Sequence, residues 1–295
     1  MSELRGPVDY HIHPGYSIDA QPVSIESYCR RAVDLKLIEI CFTTHLEVDP
    51  ARRNLDWFVR CGGQVRRMDD PRWLDLYFRD LHRARDSHAP HLAVKAGLEV
   101  GYEPGRERII ERLLDAYPFD FVLGSIHCLE HVAISSKREC AGYFSRRNAA
   151  AVAADYFTRL GQAVRTGLFD CIAHVDLYRR YGRAFLGPAT DDLHRGHVEK
   201  IFRDMAQRGM GLEINTSGLR RGLGDLHPSP DIMKTAVQSG ITIFTTGSDA
   251  HSLAETGQGI DVARRLLSGF SLSATTFTRR KPDGYTGVDK PAALP

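Results

Sequence analysis

Strand-like runs alternate with helical stretches seven times along the chain, and at least six of these runs end in residues able to bind a metal ion. The first run is 8–13, where a period of two puts His11 and His13 on one side of a strand and Val8, Tyr10 and Ile12 on the other. Later runs deliver His45, Glu99, His127, His174 and the pair Asp249 and His251. Strand–helix–strand units with right-handed crossovers build a parallel sheet. An open doubly wound sheet gathers its ligands at one switch point, whereas a barrel gathers them from every strand end on one face. The spacing therefore predicts a closed or nearly closed parallel α/β barrel with a polar face.

Strands are expected at 8–13, 38–44, 92–100, 119–126, 169–175, 211–215 and 241–246. Helices are expected at 25–37 with Ser24 as its cap, and at 72–87, 106–116, 143–166, 193–208, 230–239 and 260–267, the last stopped by Gly269. No internal repeat or shift in composition marks a boundary, so one domain over 1–295 is expected. It carries a helical insertion at about 46–90 and a loosely held tail from about 279. Within the insertion, 54–67 mixes Trp57, Phe58 and Val59 with arginines. That reads as an amphipathic cover helix with a solvated basic face, or as a lid that recruits an anionic substrate.

The balance of 39 basic and 37 acidic residues, with no basic block, gives no reason to expect a nucleic-acid partner. No apolar run approaches a membrane span and the first residues lack a signal-like apolar stretch, so no membrane partner and a cytoplasmic location are expected. Cys29, Cys41, Cys61, Cys128, Cys140 and Cys171 never form a CxxC pair and read as buried thiols.

Mixed imidazoles and carboxylates suit zinc, manganese or iron better than magnesium or calcium. These strand-end candidates exceed the needs of one ion, which points to two or three. A cluster of that kind can generate a nucleophile, hold a phosphoryl oxygen and neutralise departing charge. His174, between Ala173 and Val175, would read as a core histidine if it stood alone; the other strand ends make it a ligand candidate. Asp19 in the loop after the first strand could equally cap a turn. His82, His88, His91, His131, His194, His197 and His227 lack periodic support and are set aside. Ser217, Arg220 and Arg221 follow the sixth strand and Arg183 follows the fifth; hydroxyl and guanidinium donors beside a metal cluster match phosphate, though a solvent-facing ion pair is an equal reading for any one arginine.

Taken in order, His11-Ile12-His13, Thr44-His45, Gly97-Leu98-Glu99, Gly124-Ser125-Ile126-His127, Ala173-His174-Val175-Asp176, Glu213-Ile214-Asn215-Thr216-Ser217-Gly218 and Ser248-Asp249-Ala250-His251 resemble the PHP (polymerase and histidinol phosphatase) superfamily, in its stand-alone histidinol-phosphatase-like branch. The resemblance covers roughly 8–280. It implies a distorted (β/α)7 TIM-like barrel with a trinuclear centre that hydrolyses phosphate esters. One ion would take His11, His13, Glu99 and Asp249; a second would take Glu99, His127 and His174, with Glu99 bridging; a third would take Asp19, His45 and His251. Thr44 stands where relatives commonly carry aspartate, which bears on orientation around the ligands rather than on the ligands themselves.

The function expected is phosphomonoester hydrolysis, with L-histidinol phosphate the substrate that the resemblance favours and histidine biosynthesis its setting. Arg183 or Arg220 would stabilise phosphoryl charge, and Asp249 or His251 would move a proton to the leaving alkoxide. The 46–90 insertion and the 143–147 loop are expected to set substrate identity. The rival readings are hydrolysis of a sugar bisphosphate, nucleotide or small phosphodiester, a polymerase-associated exonuclease role, and a non-catalytic metal-dependent binding module.

Overall fold

The computed structural model describes residues 6–283. Its first strand, β1 (Val8–Ile12), is followed by α1 (Ile25–Asp34), whose N-terminus is capped by the Ser24 hydroxyl accepting from Ser27 N–H. Next come β2 (Glu39–Glu47), a hairpin of β3 (Phe58–Cys61) and β4 (Gln64–Arg67), α2 (Arg72–His88) and β5 (Ala93–Gly101). The chain continues through α3 (Glu107–Ala116), β6 (Phe121–Ser125) and the two-residue ladder of β7 (Cys128–Leu129) and β8 (Val132–Ala133). Then come α4 (Cys140–Phe144), α5 (Ala149–Thr166), β9 (Cys171–Ile172), α6 (Arg179–Leu186), α7 (Val198–Gln207) and β10 (Gly211–Asn215). The short α8 (Ser217–Arg220), α9 (Pro230–Gln238), β11 (Phe244–Gly247), α10 (Ile260–Gly269) and a closing hairpin of β12 (Phe277–Thr278) and β13 (Lys281–Pro282) complete it.

Seven of these strands form one parallel sheet in the order β1-β2-β5-β6-β9-β10-β11. Its two edges meet where Thr246 Oγ1 donates to Val8 O at 2.8 Å, His13 N to Ala250 O at 2.8 Å and Ala250 N to His11 O at 3.2 Å. The sheet is thus a nearly closed barrel. Ile40, Phe42, Val94, Leu98, Leu212 and Ile214 point outward into the large core beneath the helices. Val8, Tyr10, Cys41, Phe121, Leu123 and Cys171 form a smaller cluster that fills the barrel and is plugged by Phe277.

Strict alternation fails in β1. The register with β2 slips between Asp9 and Ile12, so Val8 and Tyr10 join the barrel filling while Ile12 joins the outer core. One extra residue in the strand lets Tyr10 fill the barrel and still sends His11 toward its polar end.

The insertion also departs from expectation. Residues 58–67 form an antiparallel hairpin rather than a helix, because Gly62 (φ 58°) and Gly63 (φ 74°) supply the two left-handed positions of a two-residue turn. The helix expected at 143–166 is two helices: the Asn148 side chain accepts from Ala151 N–H at 2.9 Å and starts α5 afresh. The start of the expected tail is held in place. Arg279 N–H and Arg280 N–H donate to Asp120, and the Arg280 guanidinium pairs with Asp170 at 3.2 Å. The remainder of that tail lies outside the described residues. All six cysteines are buried free thiols, and no described helix is long and apolar enough to cross a membrane.

Candidate metal centre

Above the apolar filling, inward positions near the strand ends switch to ionisable residues. Glu99 on β5 is 1% exposed and sits at their focus. Its Oε2 lies 3.2 Å from His11 Nε2, 3.4 Å from His13 Nε2 and 3.0 Å from His45 Nδ1. Its Oε1 lies 3.0 Å from His127 Nε2 and 2.8 Å from His174 Nε2, and accepts from Ser125 Oγ at 2.6 Å. One carboxylate thus faces five imidazoles. Asp249 Oδ1 approaches His13 Nε2 at 3.5 Å and His251 Nδ1 at 3.3 Å, closing the group from the β11 side. Asp19, 53% exposed at the rim, reaches His45 Nε2 at 3.5 Å and His251 Nε2 at 3.2 Å.

The nine residues expected as ligands are therefore brought together. Of the tightest groupings, that of His11, His13 and Glu99 matches the partition that the resemblance implies and the other two cut across it. Ligand atoms of His11, His13 and Glu99 converge within 4.8 Å, as do those of His45, Glu99 and His127, and those of His13, His45 and His251.

The far nitrogens of these rings are held by groups that sequence reasoning did not assign. Glu213 Oε1 lies 2.6 Å from His11 Nδ1, and its Oε2 accepts from His174 N at 2.9 Å. Glu47 Oε1 lies 2.8 Å from His127 Nδ1, and Ser17 Oγ lies 3.2 Å from His13 Nδ1. Fixing the far nitrogen sets both tautomer and ring orientation. Period two offered a signal for Glu47, which shares a strand face with His45 two residues before it. Gly247 permits the Glu213 contact, since a side chain there would run into Glu213 and His11. His174 (φ 21°) and Asp249 (φ 53°) leave their strands through left-handed backbone, an uncommon conformation that surrounding contacts must hold.

The donor chemistry fits bound cations. His11 Nε2 and His13 Nε2 face each other at 3.0 Å, while their Nδ1 atoms are engaged by Glu213 and Ser17. Burial would push the Glu99 carboxyl up, but His11, His127 and His45 hold it well below the usual carboxylate range. Burial opposes charge on His127, yet Glu99 and Glu47 push it up to about 10. Burial, with His251 and His45 beside it, pushes His13 down. Without cations, protons on the surrounding rings must balance Glu99; divalent ions provide the same balance through lone pairs that are already aimed inward. Asp249 is likewise held low by Arg221, His13 and His11 against the effect of burial, so it is ionised at neutral pH and not a ready proton donor.

A cavity of about 530 Å³ opens over this centre. Its lining includes His45, Glu99, His127, His174, Asp249 and His251, whereas His11 and His13 lie fully buried beneath. Of the four residues expected to touch phosphate, only Arg221 lines it, with one N–H group 3.2 Å from His251 Nδ1. Arg220 instead donates to Asp249 O at 2.7 Å and pairs with Glu255, and buried Ser217 accepts no place in the cavity wall. Arg183 is 52% exposed, pairs with Asp191 at 3.0 Å and does not reach the cavity. The arginine that does is Arg180, one helical turn earlier on α6. Its Nε is buried without a hydrogen-bond partner, and burial together with the neighbouring Arg221 pushes its pKa down. Two guanidiniums lining one polar cavity are of the chemistry that could hold an anion.

Elsewhere the lining carries Glu47, Asp56 and Glu139 around one arginine. Arg52 is buried there, pairing with Asp56 and donating to Glu139 at 2.7 Å, so two carboxylates flank one guanidinium, with Glu47 nearby. Asp176, one of the quoted motif residues, contacts His227 Nδ1 at 2.6 Å and accepts from Arg179 at 2.9 Å. This buried network anchors the loop that carries Arg221. His227 thus has a structural role, and none of the histidines set aside earlier lines the cavity.

The family profile described as PHP domain matches residues 9–217. A probable histidinol-phosphatase of Deinococcus radiodurans is 29% identical over 94% of this chain and 99% of its own length. A histidinol-phosphatase of Lactococcus lactis is 26% identical over 94% and 96%. Among solved structures, the histidinol phosphate phosphatase of Lactococcus lactis complexed with zinc, L-histidinol and phosphate superposes with a TM-score of 0.79 at 22% identity, covering 94% of this chain and 99% of that one. A putative histidinol phosphatase from Listeria monocytogenes gives 0.72 at 20% identity, covering 86% and 99%. At these identities the structural likeness speaks to the fold, a PHP-type barrel.

Proposed function

This chain belongs to the PHP domain family, and on that premise we propose that it is a metal-dependent phosphomonoesterase acting on L-histidinol phosphate. The observation that carries the substrate choice is the polarity of the cavity. Arg180 and Arg221 line it after β9 and β10, while Asp56 and Glu139 line it after β2 and β8, two carboxylates around the single guanidinium of Arg52. A substrate with one phosphate and a cationic amino alcohol can satisfy both walls, whereas a sugar bisphosphate would bring a second phosphate against carboxylates. The relatives that align over nearly their full length carry the same substrate in their names.

His11, His13, Asp19, His45, Glu99, His127, His174, Asp249 and His251 would hold two or three divalent ions, three being the number that the nine ligands favour, with zinc, manganese and iron all compatible. Such ions would supply an activated water and charge neutralisation at phosphorus. The chain's own residues do the rest. Arg180 and Arg221 bind and orient the phosphoryl oxygens. Glu213, Glu47 and Ser17 keep the imidazoles in one tautomer, and Asp56 and Glu139 draw the ammonium end of the substrate to the far wall. Arg183, held by Asp191 at the surface, has no part in this scheme.

The test uses the paired substitutions Asp56→Asn and Glu139→Gln. With metal-replete protein, KM for L-histidinol phosphate is expected to rise by about 10-fold or more, the effect of losing a charge-assisted contact. KM for p-nitrophenyl phosphate, which has no cationic end, should stay within about 2-fold. Equal losses on both substrates would assign the acidic wall to folding and withdraw the substrate argument.

A further inference from the structure

The β3–β4 hairpin does not cover the cavity; it grips the loop that brings Asp19 to the centre. Val59 bridges Ser17 in antiparallel fashion, and Arg60 N–H donates to Tyr16 O at 2.9 Å. The Arg60 side chain then reaches along the same loop. One terminal nitrogen donates to Gly15 O at 2.9 Å, Ser17 O at 3.1 Å and Ala20 O at 3.3 Å, and the other to Ile18 O at 2.9 Å. Among the described residues, all four of these bonds go to main-chain carbonyls and the guanidinium takes part in no ion pair. A planar fork of five donors can hold several carbonyls in a fixed arc, which a single ammonium cannot do as rigidly.

What the arc presents is chemical. Between the gripped carbonyls lies Asp19, whose carboxylate faces His45 and His251. Ser17 Oγ on the same loop contacts His13 Nδ1 and accepts from His45 N. The loop is also tied by main-chain bonds such as Gln21 N to His251 O at 2.8 Å and Gly15 N to Val23 O at 2.8 Å, and at its start by buried Tyr16, which packs on Trp73 and Tyr77 and donates to Asp80 at 2.8 Å. The Asp19 side chain is itself half-exposed, so the shape of the loop at 17–20, where Arg60 holds the carbonyls, sets its carboxylate at its partners.

We propose that Arg60 is a positioning residue for the outermost ion of the centre: by fixing the 15–20 loop it sets the Asp19 carboxylate against His45 and His251, and the hairpin exists to deliver it. The proposal rests on the metal-centre reading above. It assigns to the insertion control of metal occupancy, in place of the cover or lid that its composition suggested.

The experiment is a chelator titration of full-length protein loaded with zinc, with ions per chain counted by elemental analysis and folding followed by circular dichroism. Arg60→Ala is expected to retain the inner ions at wild-type chelator concentrations and to release one ion at about 10-fold to 100-fold lower chelator. Asp19→Ala should release the same ion, and the double variant should be no worse than Asp19→Ala, because the two residues act through one contact. If Arg60→Ala does not fold, Arg60→Lys carries the test, with release shifted in the same direction. Ion counts and release curves like the wild type for the folded variant would overturn the proposal alone, as would loss of all ions together. A wild-type chain that binds none of zinc, manganese and iron would overturn the metal-centre reading and this proposal with it.

Discussion

Glu99→Gln is expected to lower kcat/KM for phosphate release by about 10⁴-fold, the scale on which residues acting as one catalytic unit fail. The carboxylate is within 3.4 Å of five ring nitrogens delivered by four different strands. Glutamine keeps the shape but replaces one lone-pair-bearing oxygen with an NH₂ that points donors at imidazole nitrogens aimed at cations. The charge that would hold two ions close together goes with it. The variant should fold, since the barrel filling of Tyr10, Phe121 and Leu123 lies below and is unchanged. Its metal content, counted beside its turnover, separates the outcomes. Loss of both activity and ions supports a bridging role, whereas full activity with Gln at this position would remove Glu99 from the centre.

Arg180→Ala is expected to cost about 10²- to 10³-fold in kcat/KM, the usual price of one preorganised donor to developing oxyanion charge. Arg183→Ala should stay within about 2-fold. The contrast is informative because both arginines follow the same strand and only geometry separates them. Arg180 has a buried nitrogen with no partner inside the cavity wall, while Arg183 already spends its guanidinium on Asp191 in solvent. Steady-state kinetics on the two variants decide it. Equal effects would return the phosphate site to the reading that sequence alone supports.

That pair also shows where the sequence stopped being legible. The strand-end residues could be found because a parallel barrel turns linear spacing into one polar face, and His11, His13, Glu99, His127 and Asp249 all follow that rule. Helix starts with a side-chain cap, such as Ser24, were equally readable. Arg180 could not be separated from Arg183, because three residues on a helix change the facing direction by about 60° and the axial position by one turn. Only the angle at which α6 leaves the barrel decides which of them enters the cavity. The 58–67 hairpin was misread from its mixture of aromatic and basic residues, although Gly62-Gly63 is a turn signal of known type. The bulge in β1 left no mark in residue type at all. Its evidence is the register against β2.

The proposed cavity has an arginine-lined end for phosphate and an acidic end for the substrate's ammonium group. The most direct measurement is the ratio of kcat/KM for L-histidinol phosphate to that for fructose 1,6-bisphosphate, taken with metal-replete protein and repeated after chelation. A ratio of about 10² or more, with both activities lost on chelation and restored by divalent metal, is the expected result. A ratio near or below one would keep a metal-dependent phosphatase but contradict the assigned substrate, and activity that survives complete metal removal would contradict the centre itself.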